Sequence, residues 1–272
     1  MTPTRAAAFF DLDRTLMAGS SAFQFGRASY EAGLLSRRQL ARDAWANVRF
    51  RLQGSTDEAT EALRERIYTS IAGQRIVDLE RLMPRVLAGV LPRLYPQMLG
   101  IAYEHQDAGR PVYIVTAASQ EMAELLAHVL VFDGGIGARS EVRDGVYTGR
   151  PDGPFTYREG KAQAIRELAE REGYDLAASY AYSDSESDLP MLRCVGHPVA
   201  VNPDAPLMKV AREEGWDVIR FERLGRRVRA LVAVGAMAAA GGMARSRGVR
   251  RTARGVGSAG GGLRVRLGRA RR

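Results

Sequence analysis

"AAAFFDLDRTL", residues 6–16, decides the fold class. Five apolar residues, Ala6 to Phe10, run without a break into Asp11, and Asp13 follows two positions later. A short unbroken apolar run is the pattern of a strand buried on both faces, as in a parallel sheet. Two carboxylates at the end of such a strand are costly to keep beside a core unless a cation or a hydrogen-bond donor meets them. The pair therefore marks this strand end as a functional position.

Moving outward, "RPVYIVTAAS" repeats the pattern, with Val112 to Val115 apolar and Thr116 at the end. Further strands are expected in "SYAYSDS", "PVAVN" and "DVIRF". Helical patterns separate them: "SQEMAELLAHVL", a helix over 159–172, a short helix from Asp188 and one from Pro206. Asp188 is itself placed to cap the short helix. Strands alternating with helices predict an α/β fold, a doubly wound parallel sheet with helices on both faces. Residues 131–139 carry three glycines and are expected to be irregular, and "SEVRDGVYTGR" predicts a hairpin turning at Asp144-Gly145.

Between the first two strands the pattern changes. From about Ser20 to Gln106 helix follows helix: "RRQLARDAWANVRFRLQG", "STDEATEALRERIYTSIAG" with Ser55 and Thr56 as N-caps, "QRIVDLERLMPRVLAGVL" and "YPQMLGIAYEHQDAG". The expected organisation is a core of residues 1–19 and 107–222, an inserted helical cap over 20–106, and a separate tail over 223–272.

The tail stands apart by charge. It holds 14 Arg and no Lys, Asp or Glu, so the +9 of the whole chain divides into +14 for the tail and −5 for residues 1–222. Within it, residues 230–244, "ALVAVGAMAAAGGMA", are uncharged. Fifteen such residues fall short of the roughly twenty that span a bilayer. A segment lying on an anionic membrane surface, a face for a partner helix and a solvated extension are all compatible with this composition. An Arg-rich end also binds phosphate backbones without sequence preference, but no aromatic interleaving accompanies it, and no specific nucleic-acid partner is expected.

Cys194 is the only cysteine, which excludes an intrachain disulfide and a cysteine metal site, and His105, His128 and His197 lack ligand spacing. The apolar run before Asp11 is too short for a secretory signal, so a cytoplasmic body is expected, peripheral to the membrane if the tail binds one. Lysine occurs only at Lys161 and Lys209, against 38 Arg. A lysine in such a chain points to a position suited to a compact ammonium. Oligomeric state leaves no sign in the sequence.

Ligands of open parallel sheets bind outside the carboxyl ends of the strands. Asp11, Asp13, Thr116, Asp184 and Asp188 would all meet there, with Lys161 at the head of "KAQAIRELAERE". Clustered carboxylates suit Mg²⁺, a hard cation that keeps waters and binds phosphate oxygens. A lysine and a hydroxyl beside them suit a phosphoryl group. Together they point to metal-assisted phosphoryl transfer.

The same residues carry a family resemblance. "DLDRT", then Thr116, then Lys161, then "SDSESDLPML" resemble the four motifs of the haloacid dehalogenase-like superfamily. The order and spacing are similar to its phosphoserine phosphatase-like branch, subfamily IB, over residues 5–221. The resemblance implies Asp11 as nucleophile forming an aspartyl-phosphate, and Asp13 as general acid and base that also offers Mg²⁺ its backbone carbonyl. It implies Thr116 and the Ala117 N–H as phosphoryl donors and Lys161 as the neutralising cation. Asp184 would ligate the metal, and Asp188 would order the metal's shell or Lys161. In the cap, Arg66 aligns with an anion-binding arginine. Ser20 stands where phosphoserine phosphatases have a glutamate that holds the substrate ammonium, which argues against phosphoserine as substrate. Ser187 replaces the asparagine usual in the last motif. The function expected is hydrolysis of a small phosphorylated metabolite. A membrane-associated lipid-phosphate phosphatase is the alternative, and a basic-tailed nucleic-acid-binding protein the more distant one.

Overall fold

The computed structural model describes residues 5–33, 35, 36, 38 and 57–221. The helix expected over 37–54, apart from residue 38, the caps Ser55 and Thr56, and the tail with its uncharged segment 230–244 lie outside the described residues. The chain divides into two units, Met1–Arg220 and Phe221–Arg272, and the sheet and helices described below belong to the first.

Six strands form one parallel sheet: β1 (Ala8–Asp11), β2 (Val112–Ser119), β3 (Gly134–Ala138), β6 (Tyr180–Ser183), β7 (His197–Val201) and β8 (Asp217–Ile219). Their order is β3-β2-β1-β6-β7-β8. β1 is central, with Asp11 opposite Val115 of β2 and Phe10 opposite Tyr182 of β6. All four residues of β1 are buried, as an unbroken apolar run requires. Phe9 stacks with Tyr113 and Phe10 with Tyr182, at ring separations of 5.9 and 4.3 Å. Truncating either phenylalanine to alanine should cost about 3–5 kcal/mol. The chain winds away from β1 in one direction through β2 and β3, and in the other through β6, β7 and β8. The switch point lies between β1 and β6, and there the strand ends open a crevice.

β3 corrects the expectation of an irregular stretch at 131–139. Its glycines mask the strand signal, yet they are what lets it pair with β2. A Cβ at Gly135 would come within 2.3 Å of the Ala123 backbone, and one at Gly137 within 2.6 Å of the Ser119 carbonyl oxygen. Only glycine admits the helix Gln120–Val129 so close to the sheet edge. The hairpin of β4 (Ser140–Arg143) and β5 (Val146–Pro151) turns as expected at Asp144 and Gly145, both with positive φ.

The helices over the strand ends are Ser21–Glu31, Asp57–Ile71, Ile76–Glu80 and Met83–Val90. Two linkers join them to the sheet and bond to each other: Ala18 N–H donates to the Arg93 carbonyl, and Tyr95 N–H to that of Leu16. The hairpin joins this helical layer, since Tyr147 and Gly145 exchange backbone bonds with Gly73, Gln74 and Ile76. The helix Pro96–Asp107, by contrast, lies on the sheet. Its buried His105 bonds the Tyr182 hydroxyl at 2.7 Å and meets the Phe10 ring edge-on. Apolar periodicity alone cannot tell such a helix, facing a sheet, from one facing other helices.

Candidate active site

Asp11, Lys161, Asp184 and Asp188 are each 6% exposed or less and gather beyond the ends of β1 and β6. Lys161, in the first turn of the helix Glu159–Glu172, places Nζ 2.5 Å from Asp11 Oδ1 and 2.8 Å from Asp188 Oδ2. The Ser183 hydroxyl donates to the same Asp188 oxygen at 2.6 Å. Burial disfavours the ammonium, but the two carboxylates outweigh it and raise the Lys161 pKa, so the lysine stays charged.

Asp188 thus holds Lys161. It stands at the N-cap position of the helix Leu189–Arg193, but its side chain makes no capping bond, because both of its donors lie in the site. These bonds suit positioning the ammonium better than ligating an ion.

Asp13 is held by its surroundings in a similar way. Its Oδ2 accepts from the Ser20 hydroxyl at 3.0 Å and its Oδ1 from the Ser21 N–H at 2.8 Å. A carboxylate at the first N–H of the helix Ser21–Glu31 satisfies an orphan donor and meets the positive end of the helix. Its side chain is aimed by a hydroxyl and an amide donor, leaving its backbone carbonyl as the group it would offer a cation. Ser20, expected to bind substrate, spends its hydroxyl on Asp13 while lining the cleft.

Thr116 is buried one position past the last β1–β2 pair, and Ala118 N–H donates to its Oγ1 at 3.2 Å. The β2–β3 register shifts between Val115 and Ser119, so the segment carrying Thr116 and Ala117 leaves the regular ladder where it reaches the cleft. Ser119, not Thr116, caps the following helix, accepting from Met122 N–H at 3.4 Å. Arg66 lies in the helix Asp57–Ile71, but its side chain is outside the described residues. Ser187 bonds Ser185, 3.1 Å away, at the cleft wall.

Sequence reasoning missed Arg14 and Ser183. Arg14 holds a left-handed backbone (φ 66°), a strained state for a non-glycine residue, and places its guanidinium 2.6 Å from Asp184 Oδ2 in ion-pair contact. The signal was present in the motif itself: a cation between Asp13 and Thr15.

A metal fits this donor set. Burial, then the neighbouring Asp11 charge, pushes the Asp184 pKa up to about 8. Burial also lifts Asp11 to about 7 against the opposing pull of Lys161. Two carboxylates so raised are short of positive charge. Among the described residues no three acidic, histidine or cysteine side chains could cage an ion by themselves. Asp11, Asp184 and the Asp13 carbonyl would instead leave positions for water and phosphate oxygens, which is how Mg²⁺ prefers to bind.

An open parallel sheet with carboxylates, a lysine and a hydroxyl at its switch point defines a Rossmann-like hydrolase core beneath a helical cap. The chain belongs to the haloacid dehalogenase-like hydrolases, whose family model matches residues 8–193. It is 39% identical over 220 residues to a probable phosphatase of Mycobacterium tuberculosis, covering 80% of this chain and 76% of that one. It is 37% identical over 235 residues to a phosphoserine phosphatase of the same organism, covering 86% and 76%. Among solved structures, a Bordetella pertussis protein of unknown function is similar at 30% identity and a TM-score of 0.70, over 79% of this chain and 98% of that one. Enzymes of this family generally use Mg²⁺. Among the described residues no helix is long and apolar enough to cross a membrane.

Proposed function

We propose that this hydrolase releases phosphate from a small phosphate monoester through an aspartyl-phosphate at Asp11, with Mg²⁺ as cofactor. The observation that carries the reading is the buried pair of Asp11 and Lys161, 2.5 Å apart at the sheet's switch point. Asp11 Oδ attacks phosphorus as the bond to the leaving oxygen breaks, and Asp13 gives that oxygen a proton. Asp13 then takes a proton from the water that cleaves the acyl-phosphate, which returns Asp11 and frees phosphate. Lys161, with Asp188 behind it, stays charged throughout and stabilises the negative charge of the transferring group, helped by Thr116 and the Ala117 N–H. Bound Mg²⁺, held by Asp11, Asp184 and the Asp13 carbonyl, would supply further charge neutralisation. Cap closure would exclude bulk water.

Phosphoserine is disfavoured as substrate, because Ser20 offers no charge to an ammonium and is already bonded to Asp13. The charge division of the chain favours a second reading, in which the 14 arginines of the tail draw the enzyme to an anionic membrane and toward a lipid phosphate. Phosphate release by the full chain with Mg²⁺, against soluble monoesters and against lysophosphatidic acid in vesicles, tests both. Turnover of soluble esters supports the first reading, turnover confined to vesicles the second, and no release from any ester contradicts both.

A further inference from the structure

We infer that the leaving group this cleft accepts is apolar: the alcohol of an alkyl or aryl phosphate rather than an amino acid or a polyol. The inference rests on the phosphatase reading above and concerns the same site. The cleft has a volume of about 390 Å³, within the range of small-molecule sites and well beyond what a phosphoryl group fills. Away from the carboxylate cluster its wall includes Phe25, Ile67, Ile71, Leu79, Met122 and Ala138. These come from five separate elements, so the lining is no single helix's core-facing stripe but a surface assembled around the cleft.

Several of the polar groups there already have protein partners, Ser70 among them, whose hydroxyl donates to the Ile67 carbonyl at 2.7 Å. Glu121 Oε1 accepts from the Tyr147 hydroxyl at 3.0 Å, and the Ser20 hydroxyl is committed to Asp13. A leaving group with several hydroxyls would lose water there and face a wall with more apolar groups than free hydrogen-bonding partners. One with a carboxylate would also meet Glu121. An apolar group instead gains from each methylene it buries, by about fourfold in kcat/KM if 0.8 kcal/mol per methylene is realised.

The experiment is kcat/KM of the full chain with Mg²⁺ for ethyl, butyl, hexyl and 1-naphthyl phosphate, beside phosphoserine, phosphoethanolamine and glycerol 3-phosphate. The expected result is a rise of about fifteenfold from ethyl to butyl phosphate, with naphthyl and hexyl phosphate well ahead of the three polar esters. Phe25→Ser should flatten the dependence on chain length. A preference for phosphoserine, phosphoethanolamine or glycerol 3-phosphate, or an absence of length dependence, overturns the inference and leaves the phosphatase reading standing. A preference for phosphoethanolamine that Glu121→Gln removes would assign the carboxylate to an amine instead. Failure to hydrolyse any ester, ethyl phosphate included, contradicts the phosphatase reading and this inference with it.

Discussion

Lys161 shows how much chemistry one residue concentrates. Its ammonium is a point charge fitted between Asp11 and Asp188, and a guanidinium is both larger and planar. Lys161→Arg should therefore lower kcat by about 10²–10³-fold with the thermal transition retained, and steady-state kinetics beside a melting curve checks it. Asp11 and Asp184 titrate near 7 and 8 in the metal-free protein, above their unfolded values. Their protonated forms stabilise the fold below the usual carboxylate range, and that contribution is lost as pH rises toward 8. A divalent cation bound there, as proposed, would replace the protons. The rise in melting temperature on adding Mg²⁺ should thus grow from pH 6 to pH 8, and an equal rise at both would contradict the assignment. The carboxylates could be singled out in the sequence because charged residues at the ends of apolar runs have few structural reasons to be there, and the lysine because it is one of only two in the chain. Arg14 was signalled only by its place inside the motif, which an Arg-rich chain obscures, and Ser183, a serine among serines, carried no signal.

At the scale of elements, two features depend on packing that periodicity does not reveal. β3 is built on glycines because the helix Gln120–Val129 presses against it. Gly135→Ala should destabilise the protein by about 1–3 kcal/mol, measured as a lowered urea midpoint. The helix Pro96–Asp107 is tied to the sheet by His105. Arg110 Nε donates to His105 Nδ1 at 2.7 Å, so Nε2 carries the proton toward the Tyr182 hydroxyl. Burial, and then the Arg110 charge, lowers the His105 pKa to about 4. Between pH 6.5 and 4 the unfolded chain takes up a proton that the native imidazole refuses, so stability falls with pH by up to about 3 kcal/mol from this residue. In His105→Gln that part of the pH slope should vanish, as chemical denaturation at pH 7 and pH 4.5 would show. Most elements were legible from alternation of strand and helix. β3 was not, because its glycines carry no side chains to read.

At the scale of the molecule, every residue of the proposed reaction lies within Met1–Arg220, and among the described residues the last strand of the sheet ends at Ile219. A chain ending at Glu222 should melt within about 2 °C of the full chain and hydrolyse soluble esters at a similar rate, since the cut spares every described strand of the sheet and every residue proposed for the site. A large loss of either would show that the basic tail takes part in the fold or the reaction. The central claim is covalent catalysis at Asp11, and mass spectrometry of enzyme quenched in acid during turnover tests it most directly. One added phosphoryl group on the peptide containing Asp11, absent in Asp11→Asn, is the result expected. Turnover that proceeds with no phosphorylated peptide, or that survives Asp11→Asn, would contradict it.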